Sequence, residues 1–204
     1  MKGKYFILLL LSSVFFLSND VFISNRKMMV DELKNLSGIT DKNVIKAMLK
    51  VPRHNFVPRS AIGNAYINRP LSIGYGQTIS SPEIVALMTQ LLKLKNTDTL
   101  LEVGTGSGYQ AAVASVLCRT VYSIEIIKPL FNRTKSVLKK LNYKNVKLKV
   151  GDGYFGWKKY APFNKIIVTC AVNHIPPPLI RQLKFGGRMV IPVGNPYSVQ
   201  TLVL

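Results

Sequence analysis

The chain has 204 residues, 48% hydrophobic, with 28 Lys and Arg against 9 Asp and Glu for a net charge of +19. That length and apolar content suit one globular domain plus an appendage, while Cys118 and Cys170 exclude a disulfide framework and are expected to be buried thiols in a reducing compartment. His54 and His174 make no clustered metal set, and the dispersed positive charge fits either acidic partners, nucleic acid or anionic membrane among them, or lysine-rich composition alone.

Lys2 and Lys4 precede an apolar run from Tyr5 to Leu17, the pattern of a signal-peptide n-region and h-region. No A-x-A cleavage pattern follows, and the run is short for a bilayer span of ~20 residues. Residues 1–24 therefore read as a weak export signal, an uncleaved anchor or an extension ahead of a start at Met28 or Met29. They are set apart from a single domain expected over 25–204, and any membrane contact is expected through them alone.

Met29–Leu36 and Asp41–Leu49 have the spacing of two amphipathic helices, broken at Ser37-Gly38 and capped by Thr40 or Asp41. Pro52 ends helical structure, and VPRHNFVPRS continues irregularly. RPLSIGYGQTIS (69–80) reads as a glycine-flexible, hydroxyl-rich loop, either an ordinary surface connection or one that folds over a ligand. Ser81-Pro82-Glu83 then starts a helix with a cap residue, a proline at the first position and an acid in the first turn.

Strands are predicted at Thr99–Val103, Thr120–Ile124, Val146–Val150, Lys165–Thr169, Arg188–Val193 and Gln200–Leu204. Helices near Tyr109–Leu117, Pro129–Leu141 and Pro178–Leu183 fill several gaps. LKKLNYKNVKLK (138–149), the nearest approach to a basic and aromatic nucleic-acid stripe, has instead the periodicity of a helix end, a turn and a strand. This alternation predicts an α/β fold, doubly wound around a mostly parallel sheet, with an N-terminal helical extension. GNPYSVQ is too short for a crossover, so the last two strands are expected to form an antiparallel hairpin. The chain stops within QTLVL, an edge that a further segment is expected to cover.

The most informative segment is TLLEVGTGSGYQ (99–110). An apolar run reaches Glu102, glycines follow at 104, 106 and 108, and a helix starts: the geometry of a nucleotide-type cofactor turn. A dinucleotide fingerprint needs its third glycine at 109, where Tyr109 stands. E-x-G-x-G-x-G is similar instead to the first motif of S-adenosyl-L-methionine (AdoMet) methyltransferases. Glu125 ends the next apolar run, 21 positions after Gly104, where a carboxylate can accept ribose hydroxyls.

At VPRHNFVP (51–58), RPLSIGYGQTIS (69–80), LLEVGTGSGYQAAV (100–113), VYSIE (121–125), GDGYFGW (151–157), APFNKIIVT (161–169), IPPPLIRQLKFGG (175–187) and VIPVG (190–194), the chain closely resembles the protein-L-isoaspartate (D-aspartate) O-methyltransferase family. The resemblance implies a Rossmann-like methyltransferase fold and methyl transfer from AdoMet to the carboxyl group of isoaspartyl or D-aspartyl residues in damaged proteins. It implies a cytoplasmic monomer without specific nucleic-acid partners, the apolar start leaving export or anchoring as the alternative. Ser80 matches the family's catalytic serine, and Thr78, Ile79 and Ser80 its cofactor and substrate contacts. Glu102 and Gly104, Thr105, Gly106, Ser107 and Gly108 match the methionine and ribose cradle. Glu125 with Ile126 matches the ribose site, and Asp152-Gly153 the adenine edge, although Asp152 also reads as a turn residue.

Two departures accompany the match: CAVNH (170–174) replaces an Ala-rich stretch, and the chain stops before the family's final strands. The alternatives are a methyltransferase acting on RNA or another acidic substrate, and an inactive, truncated AdoMet-binding protein. For the RNA reading, Asn173-His174-Ile175-Pro176 lacks the aromatic of a base-holding Asn/Asp-Pro-Pro motif, and Asn195-Pro196-Tyr197 is expected to be a hairpin turn.

Overall fold

A computed structural model describes the backbone of residues 3–195 and 199–204, with side chains from residue 20 onward. The side chains of the Tyr5–Leu17 run, and Pro196 and Tyr197 of the expected hairpin turn, therefore lie outside the described residues. The first helix, α1 (Gly3–Leu36), is continuous through the boundary expected at residue 24. Its Phe22, Met29, Val30 and Leu33 form one stripe on the core, a helical repeat that begins before the predicted domain does. Phe22 stacks on His54 with ring centroids 4.1 Å apart, so the helix packs on the domain from three residues before its expected start. The helix closes where the Ser37 and Ile39 N–H groups donate to the Leu33 carbonyl around Gly38. Among the described residues, no helix is long and apolar enough to cross a membrane.

Helix α2 (Lys42–Lys50) starts as predicted, with the Asp41 carboxylate accepting from the Asn43 and Val44 N–H groups. The proline-flanked segment after it forms two 3-10 turns, Arg53–Phe56 and Arg59–Asn64. The predicted loop at 69–80 is instead a two-stranded antiparallel hairpin, β1 (Leu71–Gly74) and β2 (Gln77–Ile79). Leu71, Ile73 and Ile79 bury the inner face while Gly74, Tyr75 and Gly76 turn at positive φ. The hairpin hands the chain to α3 (Pro82–Leu92), whose Ser81 hydroxyl caps the Ile84 N–H.

The remainder alternates as expected: β3 (Thr99–Val103), α4 (Tyr109–Ser115), β4 (Thr120–Glu125), α5 (Lys128–Lys140), β5 (Val146–Val150), β6 (Phe163–Val168), α6 (Pro177–Gln182), β7 (Leu183–Val193) and β8 (Thr201–Val203). The sheet runs β5-β4-β3-β6-β7-β8, parallel except for the β7–β8 hairpin. Strand β7 begins five residues earlier than its predicted start at Arg188, because Leu183 pairs with Phe163 before an irregularity carries the register to Lys165 and Arg188.

Period-2 alternation sorts the strand residues onto two covered faces. Leu100, Val121, Ile167 and Val190 pack with Met88 and Leu92 of α3 and Ala111 and Ala114 of α4. Their neighbours Leu101, Tyr122, Ile166 and Ile191 pack with Leu179 of α6 and, nearby, Trp157 and Tyr160. Strand β3 is the central strand from which the chain winds first one way and then the other. In such a sheet the crevice opens at the carboxyl ends of the strands flanking that reversal.

Candidate active site

A cleft of about 310 Å³ lies at that crevice, large enough for a nucleoside-sized ligand. Four strand ends meet there: Gly104 after β3, Glu125 closing β4, Asp152 after β5 and Thr169 after β6. The hairpin supplies a further wall with Gln77, Thr78, Ile79 and Ser80. Of the predicted site residues, Thr78, Ile79, Ser80, Gly104, Thr105, Gly106, Ser107, Glu125, Ile126, Asp152 and Gly153 all line the cleft.

Glu125 is 4% exposed and held from two sides. One carboxylate oxygen, Oε2, accepts from the Gly106 N–H at 2.7 Å, and Oε1 accepts from the Ile127 N–H at 2.8 Å. Two amides thus fix the group's orientation, while each oxygen keeps a lone pair for a second donor. Vicinal ribose hydroxyls are donors of that kind. Asp152 is a turn residue, its Oδ1 accepting from the Tyr154 N–H at 2.8 Å to cap a 3-10 turn, and it also borders the cleft.

The glycine turn is tied down by Thr134, which the sequence did not single out, and by Thr169, which it placed at a strand end. Thr134 of α5 donates its hydroxyl to the Gly106 carbonyl at 2.7 Å, and the Thr169 hydroxyl donates to the Gly104 carbonyl at 2.5 Å. Neither threonine carries a local motif, since each acts across the fold. Cys170 also borders the cleft and is exposed, contrary to the expected burial, because it lies just beyond the end of β6 where the sheet opens.

Two residues expected in the cradle sit behind it. Glu102 pairs across the sheet with Ser123 of β4, whose hydroxyl donates to Oε2, and Ser123 in turn lies 2.6 Å from the Thr105 hydroxyl. Full burial pushes its pKa up to about 8, against the Ser123 hydrogen bond, which pulls it down. Glu102 is therefore a largely protonated buried carboxyl at neutral pH. Gly108 faces α5: a Cβ there would lie 2.5 Å from Thr134 Cγ2, so its bareness admits a helix and not a ligand.

The Glu102 site has a stability consequence with a definite sign. Its folded pKa of about 8 lies above the ordinary carboxylate value of 4.5, so its contribution is fully present in acid and lost as pH rises through about 8. Glu102→Gln removes that titration, and its Oε1, buried without a hydrogen-bond partner among the described residues, becomes an uncharged amide group. Thermal melts from about pH 6 to pH 9 should show wild type losing stability faster than the variant, whose advantage is largest at the alkaline end. Parallel curves would contradict the assignment.

The donors and acceptors present fit a nucleoside cofactor. A bare backbone turn, an oriented acceptor carboxylate and apolar Ile79, Ile124 and Ile126 surround one cleft. Comparison with known proteins bears on which cofactor. A family model described as protein-L-isoaspartate(D-aspartate) O-methyltransferase (PCMT) matches residues 24–204. A relative named protein-L-isoaspartate O-methyltransferase 2 from Syntrophobacter fumaroxidans is 59% identical over 164 residues, covering 80% of this chain and 66% of the relative. One of the same name from Shewanella sediminis is 51% identical over 186 residues, covering 91% of this chain and 76% of the relative. A solved protein-L-isoaspartate O-methyltransferase superposes with a TM-score of 0.76 at 32% identity, over 82% of this chain and 55% of that one. A Plasmodium falciparum structure assigned to the same enzyme class, in complex with S-adenosyl-L-homocysteine, gives a TM-score of 0.73 at 28% identity over 87% of both chains. The chain thus spans less than two thirds of some of the relatives it matches.

Proposed function

Because the chain belongs to the protein-L-isoaspartate (D-aspartate) O-methyltransferase family, we propose that it transfers a methyl group from AdoMet to the carboxyl group of isoaspartyl and D-aspartyl residues in damaged proteins. The observation that carries this reading is the convergence of two unlike walls on one cleft. The hydroxyl-bearing hairpin ends at Ser80 on one side, and the glycine turn with its oriented Glu125 stands on the other.

The bound cofactor supplies an electrophilic sulfonium methyl. The residues do the rest. A substrate carboxylate, with a reference pKa near 4, is ionised at neutral pH and needs no general base. The site's work is alignment and exclusion of water from the reacting pair. Glu125 takes the ribose hydroxyls, Asp152 and Gly153 border the adenine edge, and Thr105 to Ser107 pass beside the methionine portion. Thr78 to Ser80 close over the reacting end, where the Ser80 hydroxyl donates to the substrate carboxylate and holds its attacking oxygen in line. Because AdoMet is a cytosolic cofactor, the reading places the protein in the cytoplasm, as a monomer whose 25–204 region is the methyltransferase domain.

Ser80→Ala should lower kcat by about 10- to 100-fold, the usual cost of one orienting donor, while leaving cofactor affinity within about threefold. For the substrate class, purified protein is given radiolabelled AdoMet with an isoaspartyl peptide, its aspartyl twin and RNA. Label on the isoaspartyl peptide alone supports the proposal. Label on RNA makes the +19 charge a nucleic-acid feature and overturns it.

A further inference from the structure

The walls of the cleft come from distant segments, and one buried cation touches both. Arg53, in the first 3-10 turn, is 0% exposed. Its Nε donates to the Ala65 carbonyl at 2.9 Å, and its Nη2 donates to the Ser80 carbonyl at 2.7 Å. The guanidinium also lies over the Tyr109 ring, 4.8 Å from the centroid. Tyr109 opens α4 directly after the glycine turn. The same side chain therefore holds the last residue of the hydroxyl wall against the first residue beyond the glycine wall.

This placement is costly. Among the described residues the one ion pair is Lys34 with Asp31, so no carboxylate compensates Arg53, and its Nη1 is buried without a partner. Desolvation lowers its pKa to about 10, which still leaves the cation intact at neutral pH. An apolar side chain would fill the space at less cost. What it could not do is reach two carbonyls and a ring face at once, as a planar guanidinium does. The turn that carries Arg53 is itself fixed: His54 stacks on Phe22 of α1 and its Nδ1 lies 2.8 Å from the Tyr66 hydroxyl.

We propose that Arg53 is a positioning residue of the methyl-transfer cleft, setting the Ser80 end of the hairpin at a fixed distance from the glycine turn. The proposal rests on the function assigned above, since only an aligned Ser80 hydroxyl gives that distance catalytic value. An error of about 1 Å in such alignment can cost about 100-fold in rate. Arg53→Lys keeps the charge but offers a point donor that cannot span both carbonyls.

In the folded variant, amide hydrogen exchange at residues 78–81 should accelerate at least about tenfold while that at 104–108 stays unchanged. With an isoaspartyl peptide, kcat should fall at least about tenfold, with KM and the Kd for S-adenosyl-L-homocysteine within about threefold. If Arg53→Lys does not fold, Tyr109→Leu, which removes the ring beneath the guanidinium, should change the same readouts in the same direction by less. Unchanged exchange at 78–81 with wild-type kcat overturns the proposal, as does uniform acceleration throughout the chain with wild-type kcat, which describes a mere structural staple. Should wild type methylate no isoaspartyl peptide, the functional reading fails and the exchange pattern alone decides the role of Arg53.

Discussion

Replacing Glu125 by Ala is expected to weaken binding of S-adenosyl-L-homocysteine by about 100-fold or more. Two hydrogen bonds to a charged acceptor, at about 1.5 kcal/mol or more each, sum to about 3 kcal/mol, and that is about two decades in Kd. The loss compounds itself. The Gly106 and Ile127 amides that orient Glu125 would lose their partner, so the glycine turn would loosen as the acceptor disappears. Calorimetric titration of the variant checks this, and affinity within threefold of wild type would remove Glu125 from the cofactor site.

The second large effect is expected from Gly104→Ala. At φ +96° an L side chain is strained, and the new Cβ would lie 2.6 Å from Thr169 Oγ1. Thr169 cannot step aside freely, because its hydroxyl donates to the Gly104 carbonyl at 2.5 Å and approaches the Val103 carbonyl at 3.0 Å. Strain plus a lost buried hydrogen bond comes to about 3 kcal/mol, which lowers Tm by about 6–12 °C in a domain of this size. Cofactor binding should be lost with it, since the turn that would carry the ligand is the part displaced. A melt within a degree of wild type and normal titration would show that the turn tolerates a side chain.

Much of this architecture was legible because parallel strands buried on both faces are written as short apolar runs. Thr99–Val103 matches residue for residue, and so does the edge strand Val146–Val150, which is written instead as an alternation of apolar residues and lysines. Local caps were equally readable at Asp41 and Ser81, where the bonding partners lie within three residues. The hairpin at Leu71–Ile79 was obscured by Gly74 and Gly76: two glycines suggest looseness, although the Leu71 and Ile73 alternation beside them marks a strand. Phe22 was set aside with an apolar leader because the polar Ser18–Asp20 stretch looked like its end, whereas Phe22 packs against the core.

The site divides along the same line. Backbone-built parts follow from local sequence, so the glycine turn and Glu125 were read from spacing and Asp152 from the family resemblance, and all three border the cleft. Glu102 was placed in the cradle by its match to the family's motif. Its register partner Ser123 draws it into the sheet instead. Thr134 and Arg53 escaped notice because their partners are far along the chain, Gly106 lying 28 residues from Thr134 and Ser80 lying 27 from Arg53. No window of sequence contains both ends of such a contact.

The central claim is that the cleft aligns an already ionised carboxylate and needs no base, so the bond formed must be a methyl ester. The direct measurement is mass spectrometry of an isoaspartyl peptide after incubation with the protein and AdoMet, before and after mild alkali. One added methyl is expected on the isoaspartyl carboxyl group, lost in alkali as methanol, with no addition to the aspartyl twin. A methyl that survives alkali, or one placed on the normal aspartyl peptide, would contradict it.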